Sequence, residues 1–405
     1  MVILKKCKIH HRAFLLTLLC IILLFSLVDY MGFGYYVLLL ALPILFHKLP
    51  YKYFDSNFWL LLIWGFWYGF AVIIFKGSIS YGVSLQYFIN FPIMYIYGRF
   101  LANNLSKDKL LDMLALSIFA FSIIAVLSVF KDINQNGFFA IGLDRNIPLI
   151  GLNNEDEVTV ATGVSTRLLP AIVLIGLLMF HTQNKYSIIR RYMILYGCIA
   201  FFCAIRIQSR TSVILVGLVL LIGLIRNLNS KNTKKIFISL ATLLIIICVV
   251  IYIIFNYSEE LMIINRFENE SNTDGGGRME LLCKVVQMLP DYPFGGMFLN
   301  KNIRYAHNLW IDCARVAGLI PMFILILLTV LYIKKLIFIN KRYKNNSDKR
   351  QFGLIGQVFN LVTISFFIGF LAEPILEGIS MFACLFILYW GMLSGCSENR
   401  YLLLD

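Results

Sequence analysis

Acidic residues are scarce in this 405-residue chain, 22 Asp and Glu against 36 Lys and Arg, and charged residues of either sign make up only 14%. So little charge excludes an ordinary water-soluble domain of this size. Histidine falls to five copies, which leaves few groups able to titrate near neutrality. No Asp-x-Asp pair occurs, so divalent-metal dependence is not expected. The nine cysteines form no CxxC pattern, and most lie in apolar segments. That excludes a disulfide framework and a zinc site of the usual spacing.

What fills the chain is apolar: 60% hydrophobic and 15% aromatic residues, with a mean hydropathy of +0.79. The expected fold is all-α, a polytopic membrane protein forming one integral membrane domain over residues 1–405. The formal charge of +14 is dealt out among short loops rather than gathered on one surface, so nucleic acid is not an expected partner, whereas membrane lipids are. Apolar runs near the roughly 20 residues that cross a bilayer predict about twelve transmembrane helices. They fall at 13–28, 34–47, 57–75, 81–99, 110–130, 164–181, 191–206, 212–226, 235–255, 308–333, 352–371 and 378–393. The first follows a basic stretch, Lys5 to Arg12, yet lacks a small-residue cleavage pattern and reads as an uncleaved helix.

Orientation follows from the bias of Lys and Arg toward cytoplasmic loops. With the N-terminus inside, alternate short loops and tails collect 24 of the 36 basic residues, which predicts that both termini are cytoplasmic. Only two outer loops are long, 131–163 and the larger 256–307 between the ninth and tenth spans. Both are acid-bearing, the first through Glu155-Asp156-Glu157, which reads as a solvated cluster. Long loops among tight connections are usually functional or disordered.

Three cations then fall on the outer side. His307 is the single histidine there, since His10, His11, His47 and His181 sit at cytoplasmic ends. It reads either as a proton acceptor or as an interfacial residue capping the tenth helix. Arg278 follows Gly275-Gly276-Gly277 and precedes an apolar pattern of helical spacing stopped by Pro290 and Pro293. The pattern predicts a short amphipathic helix over about 279–289 at the outer interface. A guanidinium at such a helix start suits a phosphate or diphosphate. The plainer reading pairs Arg278 with Glu280 or a lipid headgroup. Arg210 opens the eighth span between Ser209 and Thr211-Ser212, with Arg206 four residues earlier and no acid nearby in sequence, so snorkelling or an anionic ligand is expected.

Asp312 and Arg315, three apart in the tenth span, read as an internal ion pair. Glu373, Glu377 and Asp29 lie at outer helix ends as alternative acids or bases, though no spacing ties them to the arginines.

Three stretches resemble the O-antigen polymerase and O-antigen ligase superfamily of bacterial membrane glycosyltransferases (Wzy and WaaL). They are Ser209-Arg210-Thr211-Ser212 opening an apolar helix; Gly277-Arg278-Met279-Glu280-Leu281-Leu282 running to Pro290-Asp291-Tyr292-Pro293-Phe294-Gly295-Gly296; and His307-Asn308 followed by Gly318-Leu319-Ile320-Pro321. The layout extends the likeness over the whole chain, while motif matching is confined to about 207–321. Pro321 and the short Met297–Tyr305 segment depart from the ligase pattern.

The resemblance implies glycosyl transfer at the periplasmic face of the inner membrane. Donor and acceptor are undecaprenyl-diphosphate-linked oligosaccharides, with no cofactor and with room for a chain-length regulator protein as partner. On that basis Arg210 and Arg278 clamp the diphosphate, His307 is the general base of an inverting attack, and Arg206 and Asn308 assist substrate binding. The acceptor is another lipid-linked repeat for a polymerase, the favoured reading, or lipid A core for a ligase. A lipid-linked oligosaccharide flippase is the reading from another class, disfavoured because the cations lie at the surface and no internal repeat is evident.

Overall fold

The computed structural model describes residues 2–48, 53–76, 84, 86–139, 146–151, 158–159, 161–179, 187–228, 278–296, 305–345 and 353–398, with isolated positions between 233 and 248. Most of the ninth expected span and residues 256–277 of the large loop lie outside the described residues. The first six helices are α1 (Val2–Val28), α2 (Gly34–Leu39), α3 (Leu42–Lys48), α4 (Ser56–Lys76), α5 (Phe91–Asn104) and α6 (Lys107–Asn136). A two-stranded antiparallel ladder follows, β1 (Ile147–Pro148) on β2 (Val158–Thr159). Then come α7 (Ala161–Ile172, continued as a 3-10 helix to Met179), α8 (Ser187–Arg206) and α9 (Arg210–Leu228). The last group is α10 (Arg278–Met288), α11 (Leu309–Ala317), α12 (Leu319–Asn345), α13 (Gly353–Ala372), α14 (Ile375–Gly378) and α15 (Ser380–Glu398).

Among the described residues eight helices are long and apolar enough to cross a bilayer, and Phe14–Val28 and Gly34–Leu45 are shorter apolar stretches. The chain is an all-α polytopic membrane protein. Three expected spans are broken rather than continuous. The 34–47 run divides into α2 and α3, where Pro43 can donate no amide to Leu39. Within the 81–99 run a π-helical turn, Gln86–Asn90, precedes α5, which has Pro92 in its first turn. The 308–333 run splits into α11 and α12 at Gly318, whose φ of 89° a helix cannot hold.

Helix α15 is the hub. Some 94% of Ser380–Glu398 is buried inside the protein, against 28% of Ser187–Arg206, Arg210–Leu228 and the membrane part of α12, which therefore turn broad apolar faces outward. Lipid is as apolar as leucine, so close packing and polar contacts, rather than hydrophobic burial, must hold such helices together. α15 meets α5 through glycines on both sides. A methyl added at Gly391 would lie 2.0 Å from the Tyr95 carbonyl oxygen, and one at Gly98 2.1 Å from the Leu388 carbonyl oxygen. Tyr95 and Trp390 then meet edge to face, their ring centroids 5.2 Å apart.

Ion pairs pin both ends of this hub. At its C-terminal end Arg99 of α5 contacts Asp55 at 2.9 Å and Glu398 at 2.6 Å. Just before its N-terminal end, Glu373 and Glu377 receive two further arginines. A third lock joins Arg167 of α7 to Asp29 at 3.0 Å, at the end of α1.

The close crossing makes a prediction. Gly391→Ala should cost about 1–3 kcal/mol or more, the scale of overpacking a tight contact. Gly217→Ala, where an added methyl meets nothing within 4 Å, should be near neutral or mildly stabilising. Unfolding by denaturant in mixed micelles checks the pair, and equal effects would contradict the assignment of the α5–α15 crossing as the tight one.

Candidate functional site

The site is assembled from α10, the turn after it, the start of α11, and the α13–α15 connection. α10 covers Arg278–Met288, within one residue of the 279–289 expected. Arg278 is its first residue. Glu280 sits in the first turn, where its charge suits the helix dipole, and pairs with Lys284 at 2.5 Å across an exposed face. That pairing settles the alternative partner raised for Arg278: Glu280 contacts Lys284. The opposite face of α10 buries Val285, followed by Leu289, against Ala306, Ala314 and Met322.

Pro290 ends α10, and the turn through Gly296 runs back onto the break between α11 and α12. Leu319 N–H donates to the Pro293 carbonyl and Gly296 N–H to the Arg315 carbonyl, both at 2.9 Å. The approach needs glycine on each side. A methyl on Gly295 would fall 2.5 Å from the Gly318 nitrogen, and one on Gly318 2.6 Å from the Pro293 carbonyl oxygen, while both residues hold positive φ. Two motif segments read separately in the sequence are thus one stitched unit.

His307 lies at the head of α11 with φ of 54°, a left-handed conformation uncommon for a residue bearing Cβ. The Asp312 carboxylate holds it there. Its two oxygens accept from the amides on either side, Ala306 N–H at 2.7 Å and Asn308 N–H at 3.2 Å. Asn308 caps α11, its side-chain oxygen accepting from Trp310 and Ile311 N–H at 3.2 Å. That oxygen of Asn308, a residue expected to assist substrate binding, is engaged by the helix. Asp312 also meets Arg315, Nε to Oδ1 at 3.4 Å, as the internal ion pair expected, and Arg315 extends the network to Glu377.

Arg278 reaches the α13–α15 connection. Its Nη1 donates to the Ala372 carbonyl at 2.8 Å and its Nη2 stands 3.8 Å from Glu373 Oε1. Glu373, which no spacing tied to Arg278, faces it in the fold, and Glu377 receives Arg315. The reason is tertiary: some 95 residues of chain separate Arg278 from Glu373, and only the fold brings the start of α10 to the C-terminal end of α13. Burial, and then the charge of Arg278, push the His307 pKa down to about 4. His307 is thus neutral at physiological pH, and its Nδ1 has no hydrogen-bond partner among the described residues.

Arg206 and Arg210 belong to a separate turn, between α8 and α9. Arg206 is buried and paired with Asp132 of α6 at 2.6 Å, with Nε donating to the Gly137 carbonyl at 3.1 Å. The acid that the neighbouring sequence lacks comes from α6, and the pair makes Arg206 a strut between α6 and α8. Ser209 caps α9, accepting from Ser212 N–H at 3.3 Å, and lies 2.5 Å from the Ser165 hydroxyl. Arg210, half-buried, follows that cap. The structure brings Arg278 and His307 together. Beside them an apolar groove of about 660 Å³ runs along α4 between Leu62 and Ile74 and is closed by Phe294 and Ala317.

No protein-family model matches the chain, and no curated protein is significantly similar to it.

Chemically, the arrangement offers a neutral imidazole, its buried Nδ1 without a hydrogen-bond partner among the described residues, near a partly exposed guanidinium. The lowered pKa has a sign that can be measured. An unfolded histidine titrates near 6.5, so the fold opposes protonation. The stability this contributes is fully present above that value and is lost as pH falls toward about 4. The melting temperature in detergent should therefore drop more steeply between those limits for the wild type than for His307→Gln. Parallel curves would contradict the assignment.

Proposed function

We propose that the chain is a surface-polysaccharide polymerase of the O-antigen type. It transfers a glycan from undecaprenyl diphosphate to the sugar of another lipid-linked repeat unit at the periplasmic face of the bacterial inner membrane. In this reading the chain crosses the membrane twelve times, both termini are cytoplasmic, and 256–307 is a large periplasmic loop whose short helix is α10. The observation that carries the proposal is the neutral His307, its buried Nδ1 without a hydrogen-bond partner among the described residues, beside the guanidinium of Arg278 in a membrane protein. The groove of Phe66, Phe70, Ile74 and Phe294 supports a lipid-borne substrate, having room for part of a polyprenyl chain.

The reaction needs one proton acceptor and one cation. The acceptor hydroxyl gives its proton to His307 Nδ1 while its oxygen attacks the anomeric carbon. The bond from that carbon to the phosphate oxygen breaks, and its electron pair leaves with the diphosphate. Arg278 stabilises the charge that develops there, and Arg210 completes the clamp. Attack opposite the leaving group inverts the anomeric centre. Nucleotide sugar, cofactor and metal have no assigned part, and a chain-length regulator would act from outside this site.

Deleting the coding sequence from a strain that makes the polysaccharide and inspecting its lipopolysaccharide tests the assignment. A single repeat on the core is expected; bare core with accumulated lipid-linked polymer would make the enzyme a ligase, and an unchanged ladder would overturn the reading. On complementation, His307→Ala should lower polymerisation about 10²–10⁴-fold and Arg278→Ala about 10²–10³-fold. Arg210→Lys should also be damaging if its contact with phosphate is bidentate. A normal ladder from His307→Ala would remove the base from the mechanism.

A further inference from the structure

Arg278 is not an idle cation awaiting a ligand. It caps the C-terminal end of α13, taking the Ala372 carbonyl at 2.8 Å, and it faces the Glu373 carboxylate at 3.8 Å. Backbone carbonyls at a helix C-terminus carry partial negative charge, which disfavours a carboxylate at the same place. Glu373 is only 2% exposed and sits there nonetheless. Arg278 is a cation among the described residues that meets both, while a third of its own side chain stays exposed. The two contacts differ in kind. The carbonyl contact is a hydrogen bond of normal length, whereas 3.8 Å is a charge contact without a hydrogen bond. One fixes the guanidinium in place; the other can be given up.

We infer that Glu373 is the resident counter-anion of Arg278, exchanged for the diphosphate of the lipid-linked donor and restored when the product diphosphate leaves. The inference rests on the anionic-substrate reading above and adds a residue to it. In the empty site Glu373 keeps Arg278 from standing as an uncompensated charge near the neutral His307. When phosphate oxygens approach the exposed side of the guanidinium, the Ala372 carbonyl holds the arginine still while the looser carboxylate contact is outcompeted. After transfer the leaving group carries the full charge of a free diphosphate. A carboxylate beside Arg278 competes with it and speeds its departure, so Glu373 limits affinity in favour of turnover. Only non-covalent contacts are exchanged.

A positioning role for Glu373 makes the opposite forecast, because losing the carboxylate would then loosen Arg278 and weaken anion binding. Isothermal titration of inorganic pyrophosphate into the full-length protein in detergent, at fixed ionic strength, separates the two. Glu373→Gln should bind about tenfold tighter than the wild type, a conservative scale for removing one like charge near a partly shielded site. Glu373→Asp, which keeps the charge but withdraws it by one methylene, should fall between them and serves if the glutamine variant does not fold. Arg278→Ala should bind weakly with or without the change at Glu373. In a transfer assay Glu373→Gln should lower KM and kcat together, since tighter product binding slows release. Weaker or unchanged binding by Glu373→Gln, with Arg278→Ala still defective, overturns the counter-anion role and leaves the anion site standing. Wild-type affinity in Arg278→Ala overturns the anion site itself, and this inference with it.

Discussion

His307 can hold its left-handed backbone because the Asp312 carboxylate accepts from the amides on both sides of it, and much of the site hangs on that grip. A left-handed conformation at a residue with Cβ costs on the order of 1–2 kcal/mol and persists only where surrounding bonds enforce it. Here the enforcing group is itself held. Asp312 is buried, and Arg315 compensates its charge from one turn further along α11. Arg315 in turn reaches Glu377, so the backbone around His307 is connected through three side chains to the connection that feeds the hub helix α15.

The same connection receives Arg278 four residues earlier, at Glu373. Two arginines from different parts of the chain therefore converge on one short stretch, and α10 and α11 are located relative to each other by that shared anchor as well as by their own apolar contact. Buried ion pairs are weak sources of net stability, because desolvation offsets most of the attraction. Their use here is geometric. They specify which ends of which helices meet in a bundle whose apolar faces would fit lipid as well as they fit one another.

This division explains what the amino-acid sequence disclosed. Class and helix content were legible because hydropathy and period are local quantities, and so was α10, an apolar pattern of helical spacing stopped by Pro290. The Asp312–Arg315 pair was legible for the same reason, being three residues apart on one helix. The partners of Arg206 and Arg278 were not. Asp132 and Glu373 lie far away in the chain, and spacing carries no information about which helix ends become neighbours. The break at Gly318 was hidden differently: apolar residues continue across it, so a hydropathy run reads through, although the glycine itself marked a stop.

That break also shapes the site. If α11 and α12 formed one straight helix, the Pro290–Gly296 turn would meet a continuous cylinder with its amides already paired. At Gly318 the helix ladder is interrupted, which frees Leu319 N–H for the Pro293 carbonyl and opens space for Gly295. Buried backbone amides and carbonyls need hydrogen-bond partners wherever a helix ladder is interrupted. The turn and the break satisfy each other. Their junction places Phe294 and Ala317 at the end of the apolar groove and Arg315 at the Asp312 carboxylate, so one interruption in a helix lies between a surface that fits a hydrocarbon chain and the network that poses His307.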